Sequence, residues 1–345
     1  MIRPRLYRFR FLLGAVALVA GTSFADPLPT PDTAPALSFG PGKTPSACDR
    51  GDLSVMTYNV AGLPWPLAKK GPGALRLIAT RLAGMRAERC APHVVVLQEA
   101  FSREAKAIGT RAGYPFIVEG PYLRTGTAPE GVERNWMLGE TAGTPIDSGL
   151  MVLSDLPVLD VRRAAFPEGA CAGYDCLAAK GVVLVTLQLP DNRKVMVATT
   201  HFNSRGASKA PVARTFDAYR READFLAGFI TANRGKDMPL IVAGDFNRGQ
   251  RPGRTAVLQT AMARLAGAPQ DDALRTYMTG ERQPVLPAAD AGTIVRRARD
   301  MQFAIAGERV RLTPVGADIP FGTEADGSML SDHIGYTIRY RYSES

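Results

Sequence analysis

Short apolar runs, several of them ending in a polar side chain, recur along the chain. Their content of Val, Ile, Leu and Thr predicts β-strands. The predicted strands are residues 53–60, 93–99, 149–153, 181–188, 194–200, 239–244, 300–305 and 332–342. Apolar residues at helical spacing predict amphipathic helices between them. The predicted helices are residues 75–88, 102–112, 217–233 and 254–266.

The order of these elements indicates the fold class. Hairpin-connected strands interrupted by helices favour two sheets with helices outside over a doubly wound parallel sheet. Residues 119–147 are rich in Gly and Pro and have no periodicity, which predicts a long loop. We also expect a loop over residues 281–298. A loop as long as the first is usually functional or mobile in a compact domain. The chain contains no internal repeat that we can detect.

The first residues have the pattern of an export signal. Four arginines in the first ten residues precede an apolar run, residues 11–20, that is too short to span a bilayer comfortably. A small-x-small site, Ser23 to Ala25, follows it. We therefore predict a signal peptide over residues 1–25, a flexible linker over 26–50 and one domain over 51–345, in a secreted or periplasmic protein. A retained signal anchor is the alternative, and we find no membrane-spanning run after the signal.

Net charge and cysteine content give information on the binding partners of the protein and on its redox compartment. Removing the four signal arginines lowers the formal net charge from +9 to +5, which suits an anionic partner such as nucleic acid or lipid head groups but discriminates weakly. Four cysteines in an exported chain permit disulfides, with three possible pairings. We favour Cys171–Cys176, which are close in sequence, and Cys48–Cys90, which precede two predicted strands. No CxxC motif supports a cysteine metal site.

Polar side chains that could carry chemistry follow the predicted strands. They are Asn59, Glu99, His201, Asp245 with Asn247, and Asp332 with His333. If the strand ends meet at one edge, hard oxygen ligands and imidazoles share one cleft. Such a set suits a divalent metal ion and a phosphate ester.

The order of motifs carries a family resemblance. TYN, QE, SGLxVLS, THFN, GDFN and SDH occur in that order between residues 53 and 342. This order resembles the endonuclease/exonuclease/phosphatase superfamily, which has the fold of pancreatic-type deoxyribonuclease. The resemblance implies an α/β fold, a four-layer α/β sandwich of two packed mixed β-sheets with helices outside.

A shorter resemblance lies in residues 171–187. A small Cys-containing loop there leads into L-A-x-K-G and then a strand. This segment is similar to secreted and neutral sphingomyelinases. It implies that Lys180 binds a substrate phosphate.

The superfamily resemblance also implies roles at the metal and the base. Glu99 is the expected Mg²⁺ ligand, with Mn²⁺ or Co²⁺ as substitutes, and Asn59 is expected to supply a carbonyl oxygen. His333 is the expected general base, because imidazole titrates near neutral pH. Asp300 matches the position that orients this base. Asp332 faces the site as an alternative ligand.

Other positions are expected to act on the phosphate or the water. Asp245 would orient or deprotonate the attacking water. Asn247 would hold a phosphate oxygen, and His201 would donate to a non-bridging oxygen. Asn203, two residues after His201, would lie on the same side of the cleft. His93 begins its strand at the opposite end from Glu99, so we expect a structural role for it.

These observations lead to one function and three alternatives. We expect a Mg²⁺-dependent phosphodiesterase, acting as a monomer at a membrane phospholipid surface and converting sphingomyelin to ceramide and phosphocholine. Residues 171–181 favour lipid, whereas the absence of a hairpin of clustered Trp and Tyr disfavours it. Trp65 and Trp136 could contact lipid or a base, or simply pack. The alternatives are a secreted DNase-type endonuclease, an inositol-phosphate or phosphoinositide phosphatase, and an inactive binding module.

Overall fold

Twelve strands fall within the described part of the chain. The computed structural model describes residues 51–64, 68, 70–124, 130–280 and 286–344, and the backbone of residues 37–38. In chain order the strands are β1 (Leu37–Ser38), β2 (Leu53–Asn59), β3 (Val94–Gln98), β4 (Phe116–Glu119), β5 (Met151–Ser154), β6 (Val158–Ala165), β7 (Gly181–Gln188), β8 (Lys194–His201), β9 (Leu240–Asp245), β10 (Asp300–Ile305), β11 (Val310–Phe321) and β12 (Gly335–Glu344).

The strands form two mixed sheets. The seven-stranded sheet has the order β1-β4-β5-β3-β2-β12-β11, and the five-stranded sheet has the order β10-β9-β8-β7-β6. Each sheet contains one parallel pair, β2 with β3 and β8 with β9, among antiparallel neighbours. In each parallel pair, a helix connects the end of the first strand to the start of the second, as a parallel connection requires.

Seven helices lie in the described part of the chain: the first five cover the outer faces of the sheets, and the last two contribute to the apolar cluster between the sheets. In chain order they are α1 (Pro72–Ala87), α2 (Arg103–Lys106), α3 (Ile108–Ala112), α4 (Val212–Asn233), α5 (Pro252–Ala266), α6 (Ala273–Thr279) and α7 (Ala288–Arg297). Two short 3₁₀ turns, Trp136–Leu138 and Gly173–Leu177, interrupt the loops.

Alternation along the strands creates the layers. On β9, Ile241 and Ala243 belong to the apolar cluster between the sheets, whereas Leu240 and Val242 belong to the cluster beneath α4 and α5. The outer face of the seven-stranded sheet packs in the same way against α1, α2 and α3. Successive strand side chains point to opposite faces, so each buried strand serves two layers. The predicted four-layer α/β sandwich is confirmed.

Towards one edge, the space between the sheets changes from apolar to polar. Gln98 Nε2 donates to Thr199 Oγ1 at 3.2 Å, and Thr57 Oγ1 donates to Gln98 Oε1 at 3.5 Å. Gln302 on β10 donates to the carbonyl oxygen of Val55 at 3.1 Å. All four polar side chains are buried, and their partners offset the cost of burial. This polar layer lies directly beneath the strand ends.

Several elements differ from the sequence predictions. Residues 281–298 were expected to form a loop, but α7 occupies most of the described part of this segment. The helix buries only Asp290, Ala291 and Ile294, so its apolar face is too short to stand out in the sequence. Strand β6 was missed because it is an edge strand whose positions are mostly only partly buried and which has no long apolar run. Strands β4 and β11 and helix α6 were also missed.

The predicted disulfides, signal peptide and linker involve residues of which the structure describes only some. Cys171 and Cys176 form a disulfide with a Cα–Cα distance of 5.2 Å, which confirms that pairing. Cys90 is disulfide-bonded, whereas Cys48 lies outside the described residues, so their pairing stays a prediction. The signal peptide and most of the linker also lie outside them. No helix in the described part of the chain is both long and apolar enough to cross a membrane.

Candidate active site

Six strand ends deliver polar side chains to one edge of the sandwich. Strands β2, β3, β8 and β9 end there, and the antiparallel strands β10 and β12 begin there. In the five-stranded sheet, Asp245 lies opposite both His201 and Asp300. The residues delivered to this edge are Asn59, Glu99, His201, Asp245, Asp300 and His333.

Two carboxylates in the site share one amide donor. Asn59 Nδ2 donates to Glu99 Oε1 at 2.9 Å and to Asp245 Oδ2 at 3.1 Å. The Glu99 side chain is 21% exposed, so it reaches the cleft, whereas that of Asp245 is 2% exposed. Burial raises the pKa of the Glu99 carboxyl. A cation beside Glu99 would therefore compensate the cost of keeping its charge in the site.

A backbone donor fixes the orientation of the Asn59 amide. The backbone N–H of Ala61 donates to Asn59 Oδ1 at 3.0 Å. Only the oxygen of the amide can accept this bond, so the nitrogen must face the two carboxylates. The resemblance implied that Asn59 supplies a carbonyl oxygen to the metal. In this structure that oxygen accepts one bond from the backbone and the amide nitrogen holds Glu99 and Asp245, so the role of Asn59 as a metal ligand stays a prediction.

His333 and Asp300 form a close pair. His333 Nδ1 lies 2.7 Å from Asp300 Oδ2 and 3.0 Å from Oδ1, and both side chains are buried. The other ring nitrogen, Nε2, lies 3.8 Å from Asp245 Oδ2. Burial alone would lower the pKa of His333, but the carboxylates of Asp300 and Asp245 outweigh it and raise the pKa to about 9. In the metal-free site His333 is therefore protonated at neutral pH, and its Nε2 faces the cleft as a proton donor.

Asp245 carries its negative charge in this setting. Burial acts to raise its pKa, but the nearby positive charge of His333, helped by hydrogen bonds from Asn247 and Asn59, outweighs burial and lowers the pKa. The backbone N–H of Asn247 also donates to Asp245 Oδ1 at 2.9 Å. Both oxygens of Asp245 are thus fixed, one by Asn247 and one by Asn59.

A lysine determines the state of His201. Lys180 Nζ lies 3.2 Å from His201 Nε2 and 3.0 Å from Asp175 Oδ1. An ammonium group can only donate, so Nε2 accepts and the imidazole proton is on Nδ1. Burial, followed by the charge of Lys180, lowers the pKa of His201 to about 3. His201 is therefore neutral across the physiological range, and Lys180 supplies the positive charge on this wall.

Two further predicted residues reach the cleft. Asn247 and Asp332 both line it. Asn247 Nδ2 donates to the carbonyl oxygen of Phe202 at 2.9 Å, which joins the ends of β8 and β9. The main-chain oxygen of Asp332 accepts from Arg297 Nη1 at 2.7 Å. Their roles towards a phosphate or a metal stay predictions.

The structure places Asn203 differently from the expectation. Its side chain is buried: Oδ1 accepts from the Ala172 N–H at 2.8 Å, and Nδ2 donates to the Ser204 carbonyl oxygen at 2.8 Å. Both ends of the amide are therefore used by backbone, and the side chain lies beneath the cleft wall. This geometry gives Asn203 a part in holding the loop after β8, not in contacting a phosphate.

The donor set fits a hard divalent cation. Asp245, Asp300 and His333 offer potential ligand atoms within 4.8 Å of one another. Because His333 Nδ1 and Asp300 are already paired, the oxygens best placed to hold a cation are those of Glu99 and Asp245. Carboxylate oxygens are the ligands that Mg²⁺ prefers.

The backbone around these carboxylates is strained. Glu99 has φ 56° and Ala61 has φ 49°, which place both in the left-handed region that non-glycine residues rarely adopt. Asn247 has φ 47°, a conformation that Asn tolerates better. Strain of this kind persists where the surrounding structure enforces it, often at a functional site. Here it turns the Glu99 side chain from the end of β3 towards Asp245.

The cleft above these residues is large and rich in cations. Its volume is about 790 Å³, a size typical of ligand sites. Besides Lys180, its basic lining residues are Arg205, Lys209, Arg248, Arg251, Arg297 and Arg299. The sequence reasoning assigned none of these six to the site. The signal that could have found them is the density of arginine in residues 248–254 and 296–299, next to the GDFN motif and β10.

Comparison with known proteins identifies the family. Residues 56–333 match the Endonuclease/Exonuclease/phosphatase family. The chain belongs to this family. Sphingomyelinases of Mycobacterium tuberculosis and Mycobacterium bovis are 27% identical to it over 310 residues. The match covers 87% of this chain and 55% of those relatives, so the chain spans about half of their length.

Solved structures share the fold of this family member. Beta toxin from Staphylococcus aureus, as a double mutant with bound magnesium ions, superposes with a TM-score of 0.56 at 16% identity, over 84% of this chain and 99% of the toxin. Sphingomyelinase C from Streptomyces griseocarneus gives 0.55 at 20% identity, with 84% and 99% covered. TDP2 from D. rerio, complexed with a single-strand DNA product, gives 0.54 at 16% identity, with 84% and 98% covered.

The remaining histidine lies away from this constellation. His93 is buried at the opposite end of β2 and β3, where its Nδ1 accepts from the Ser54 N–H at 3.1 Å. This contact agrees with the expected structural role. Trp65 lies outside the described residues, and Trp136 is 76% exposed.

Proposed function

We propose that this chain is a divalent-cation-dependent phosphodiesterase that hydrolyses the head group of a sphingomyelin-type phospholipid. The observation that carries the proposal is the convergence in one cleft of the His333–Asp300 pair, the Glu99–Asp245 carboxylates and Lys180. Membership of the family and the similarity to sphingomyelinases support this reaction class and substrate.

Proton transfer is assigned to His333. The 3.8 Å gap between His333 Nε2 and Asp245 Oδ2 is too long for a direct hydrogen bond and suits a water molecule that contacts both. A divalent cation on Glu99 and Asp245 would offset the carboxylate charge that raises the pKa of His333, so that the imidazole could be neutral. Asp245 would orient this water, and Nε2 would then take its proton as the oxygen attacks phosphorus. Asp300 fixes the ring and stabilises the imidazolium that forms. The phosphorus–oxygen bond to the alcohol breaks, the leaving oxygen takes a proton from solvent, and the imidazolium later returns its proton to solvent.

Charge on the phosphate is met from two sides. Lys180 and the arginines that line the cleft would neutralise the non-bridging oxygens. Glu99 and Asp245 would hold a divalent cation, which stabilises charge on the phosphate and on the leaving oxygen. His201 remains neutral, so it can sit between Lys180 and the carboxylates without adding a positive charge.

The segment around the disulfide supports a lipid head group as the substrate. The Cys171–Cys176 loop carries Asp175, which accepts from Lys180 Nζ at 3.0 Å, and Lys180 leads into β7. This is the segment that is similar to sphingomyelinases. The disulfide also supports function in an oxidising compartment outside the cytoplasm. N-terminal sequencing of the exported protein should give a chain that begins at Asp26.

A secreted nuclease is the second candidate, because the cleft is rich in cations. Six arginine and lysine side chains besides Lys180 line it, and a polyanion such as DNA would be attracted to them. The structural similarity to a DNA-bound protein shows the fold alone. The nuclease proposal therefore depends on the charge of the cleft.

A parallel assay separates these functions. The mature protein is supplied with Mg²⁺ and with sphingomyelin vesicles, plasmid DNA or inositol phosphates. The proposal expects release of phosphocholine from the vesicles and loss of that release in Glu99→Gln and His333→Ala. Cleavage of DNA alone would establish the nuclease instead. Release of inorganic phosphate from the inositol phosphates would establish a phosphatase. Inactivity on all three substrates, in a folded protein that binds vesicles, would favour a binding module.

A further inference from the structure

Large apolar side chains are unevenly distributed over the surface. Seven of those in the described part of the chain are classed as exposed, and four of the seven lie on three chain segments beside the cleft. They are Trp136 (76% exposed), Met137 (66%), Tyr174 (48%) and Val212 (53%). An exposed cluster of this kind marks an interaction surface more often than scattered single side chains do.

A buried glutamate ties the three segments together. Glu140 Oε1 accepts from the Gly173 N–H at 2.6 Å, and Oε2 accepts from the Asn135 N–H at 2.5 Å. Arg214, in the first turn of α4, forms an ion pair with the same carboxylate. Residues 135–140, 172–177 and 208–214 are therefore held as one unit, which we call the rim.

Packing inside the rim leaves its outer side chains exposed. Leu138 packs against Ala172, Ala210 and Ala218. Its neighbours Trp136 and Met137 are exposed on the same 3₁₀ turn. The rim thus presents an aromatic ring and a thioether on a turn that is anchored through Leu138. The exposure of these two side chains is therefore a feature of the folded turn.

The rim adjoins the opening of the cleft. The Tyr174 N–H donates to the Ser208 carbonyl oxygen at 2.9 Å, and Asp175, next in the chain, lines the cleft. Arg205 and Lys209 also line the cleft, are exposed, and lie on the loop that leads to Val212. Apolar side chains and cations therefore meet at one edge of the opening.

We propose that the rim is the surface through which the protein docks on a phospholipid bilayer. This inference rests on the proposed lipid phosphodiesterase function. Trp and Tyr favour the boundary between acyl chains and head groups, because each has an apolar body and a polar tip. Arg205 and Lys209 lie where lipid phosphates would be. Docking by Trp136, Met137 and Tyr174 brings the cleft opening to the head groups, where the scissile bond lies.

Vesicle binding tests the docking surface separately from catalysis. The probe is a vesicle of phosphatidylcholine and sphingomyelin, and binding is measured by co-sedimentation in a Glu99→Gln background that leaves the lipid intact. Trp136→Ser with Met137→Ser should weaken binding by at least about tenfold, because both apolar side chains leave the interface. The same pair in the otherwise wild-type protein should leave kcat/KM on a water-soluble aryl phosphodiester unchanged.

Leu159→Ser is the matched control. Leu159 is 46% exposed and follows Val158, which pairs with Leu187 at the end of the sheet away from His201. Its substitution should leave vesicle binding unchanged. Equal binding by the Trp136/Met137 variant and the parent would overturn the proposal. The proposal would also be overturned if the Trp136/Met137 substitutions converted a dimer to a monomer, or abolished DNA binding, while vesicle binding stayed intact.

The experiment also keeps the two proposals apart. If the wild-type protein binds vesicles through the rim but releases no phosphocholine, the docking surface stands and the proposed substrate is wrong. If it hydrolyses sphingomyelin in vesicles at the same rate with and without Trp136 and Met137, the substrate stands and the docking surface is wrong.

Discussion

Burial and neighbouring charges, rather than residue type, give the two cleft histidines opposite properties. The carboxylates of Asp300 and Asp245 raise the pKa of His333 to about 9, whereas burial, followed by the charge of Lys180, lowers that of His201 to about 3. Both rings contact the same Asp245 at 3.5 to 3.8 Å. One imidazole can therefore move a proton while the other stays neutral and positions its neighbours.

Substitution of the base should affect turnover rather than folding. His333→Ala removes the proton acceptor and should lower kcat by about 10²–10⁴. Asp300→Asn should also lower kcat, because the amide cannot stabilise the imidazolium. Steady-state kinetics on sphingomyelin and on a soluble phosphodiester measure both effects.

His93→Ala is the matched histidine control. Its Ser54 contact lies at the other end of the strands, so kcat should stay near the wild-type value even if the melting temperature falls. Near-normal kcat in His333→Ala would contradict the assigned mechanism and not only the assigned substrate.

Cation binding should depend on Glu99 more than on any surface acid. Glu99→Gln removes one of the two charges held by Asn59 and should weaken Mg²⁺ binding at least about tenfold. Isothermal titration calorimetry of the metal-free protein measures this without any turnover. Glu308→Gln, at an exposed position, is the control and should bind Mg²⁺ like the wild type. Unchanged affinity in Glu99→Gln would remove Glu99 from the metal site.

The position of a site residue was easier to predict than its contacts. The sequence shows that Asn59, His201 and Asp245 follow buried strands, and alternation along a strand then determines the face on which they lie. The orientation of Asn59 depends on the backbone N–H of Ala61, and that of Asn203 on Ala172. Such contacts require the three-dimensional structure, because neither follows from spacing.

At the scale of elements, α4 and α5 hold the loop that follows β8. Glu222 on α4 accepts from the Asn203 N–H at 2.7 Å, and Arg254 on α5 donates to the Asn203 carbonyl oxygen at 2.8 Å. Both side chains are buried. Burial raises the pKa of Glu222 to about 8, because the interior disfavours its charged form.

This buried glutamate should make stability depend on pH. Between its ordinary pKa of 4.5 and its folded pKa of about 8, the folded chain keeps a proton that the unfolded chain has released. The contribution of Glu222 to the free energy of unfolding should therefore fall as pH rises through this window, by on the order of 3–5 kcal/mol. Glu222→Gln keeps an acceptor without a charge, so it should match the wild type near pH 5 and exceed it at pH 8.

Denaturant unfolding at pH 5, 6.5 and 8 provides the test. Asp224→Asn is the control on the same helix, because the Asp224 side chain is 67% exposed and should show no such pH dependence relative to the wild type. A constant difference in stability between wild type and Glu222→Gln across the three pH values would show that Glu222 is charged when folded.

Prediction of elements succeeded where burial was complete. Strands β2, β3, β8 and β9 are buried along nearly their whole length, so their apolar runs stand out in the sequence. Strands β6 and β11 pair at sheet edges and leave many positions partly exposed, and α7 buries one short face. An edge strand or a short surface helix contains too few buried positions to show a hydrophobic period, so its sequence resembles that of a loop.

At the scale of the whole molecule, the layered fold could be predicted because the motif order implied it. Pairing within each sheet could not, because β12, the last strand, lies between β2 and β11. The cationic lining could not be predicted either, since Arg205, Arg251 and Arg297 come from segments that are far apart in the sequence. The same cleft thus combines an environment suited to a lipid phosphate with one that attracts polyanions.

Ionic strength separates the two classes of substrate. Docking on a bilayer of phosphatidylcholine and sphingomyelin through Trp136, Met137 and Tyr174 is mainly apolar, so salt should affect it little. A DNA complex that neutralises about four phosphates should lose about 10² in affinity between 50 and 200 mM salt, because condensed counterions are released on binding. We therefore expect lipid hydrolysis to change less than about threefold over this range, with Mg²⁺ held constant. A loss of about 10² in lipid hydrolysis would show that the cationic lining, and not the rim, holds the substrate surface, and would shift the assignment towards a polyanionic substrate.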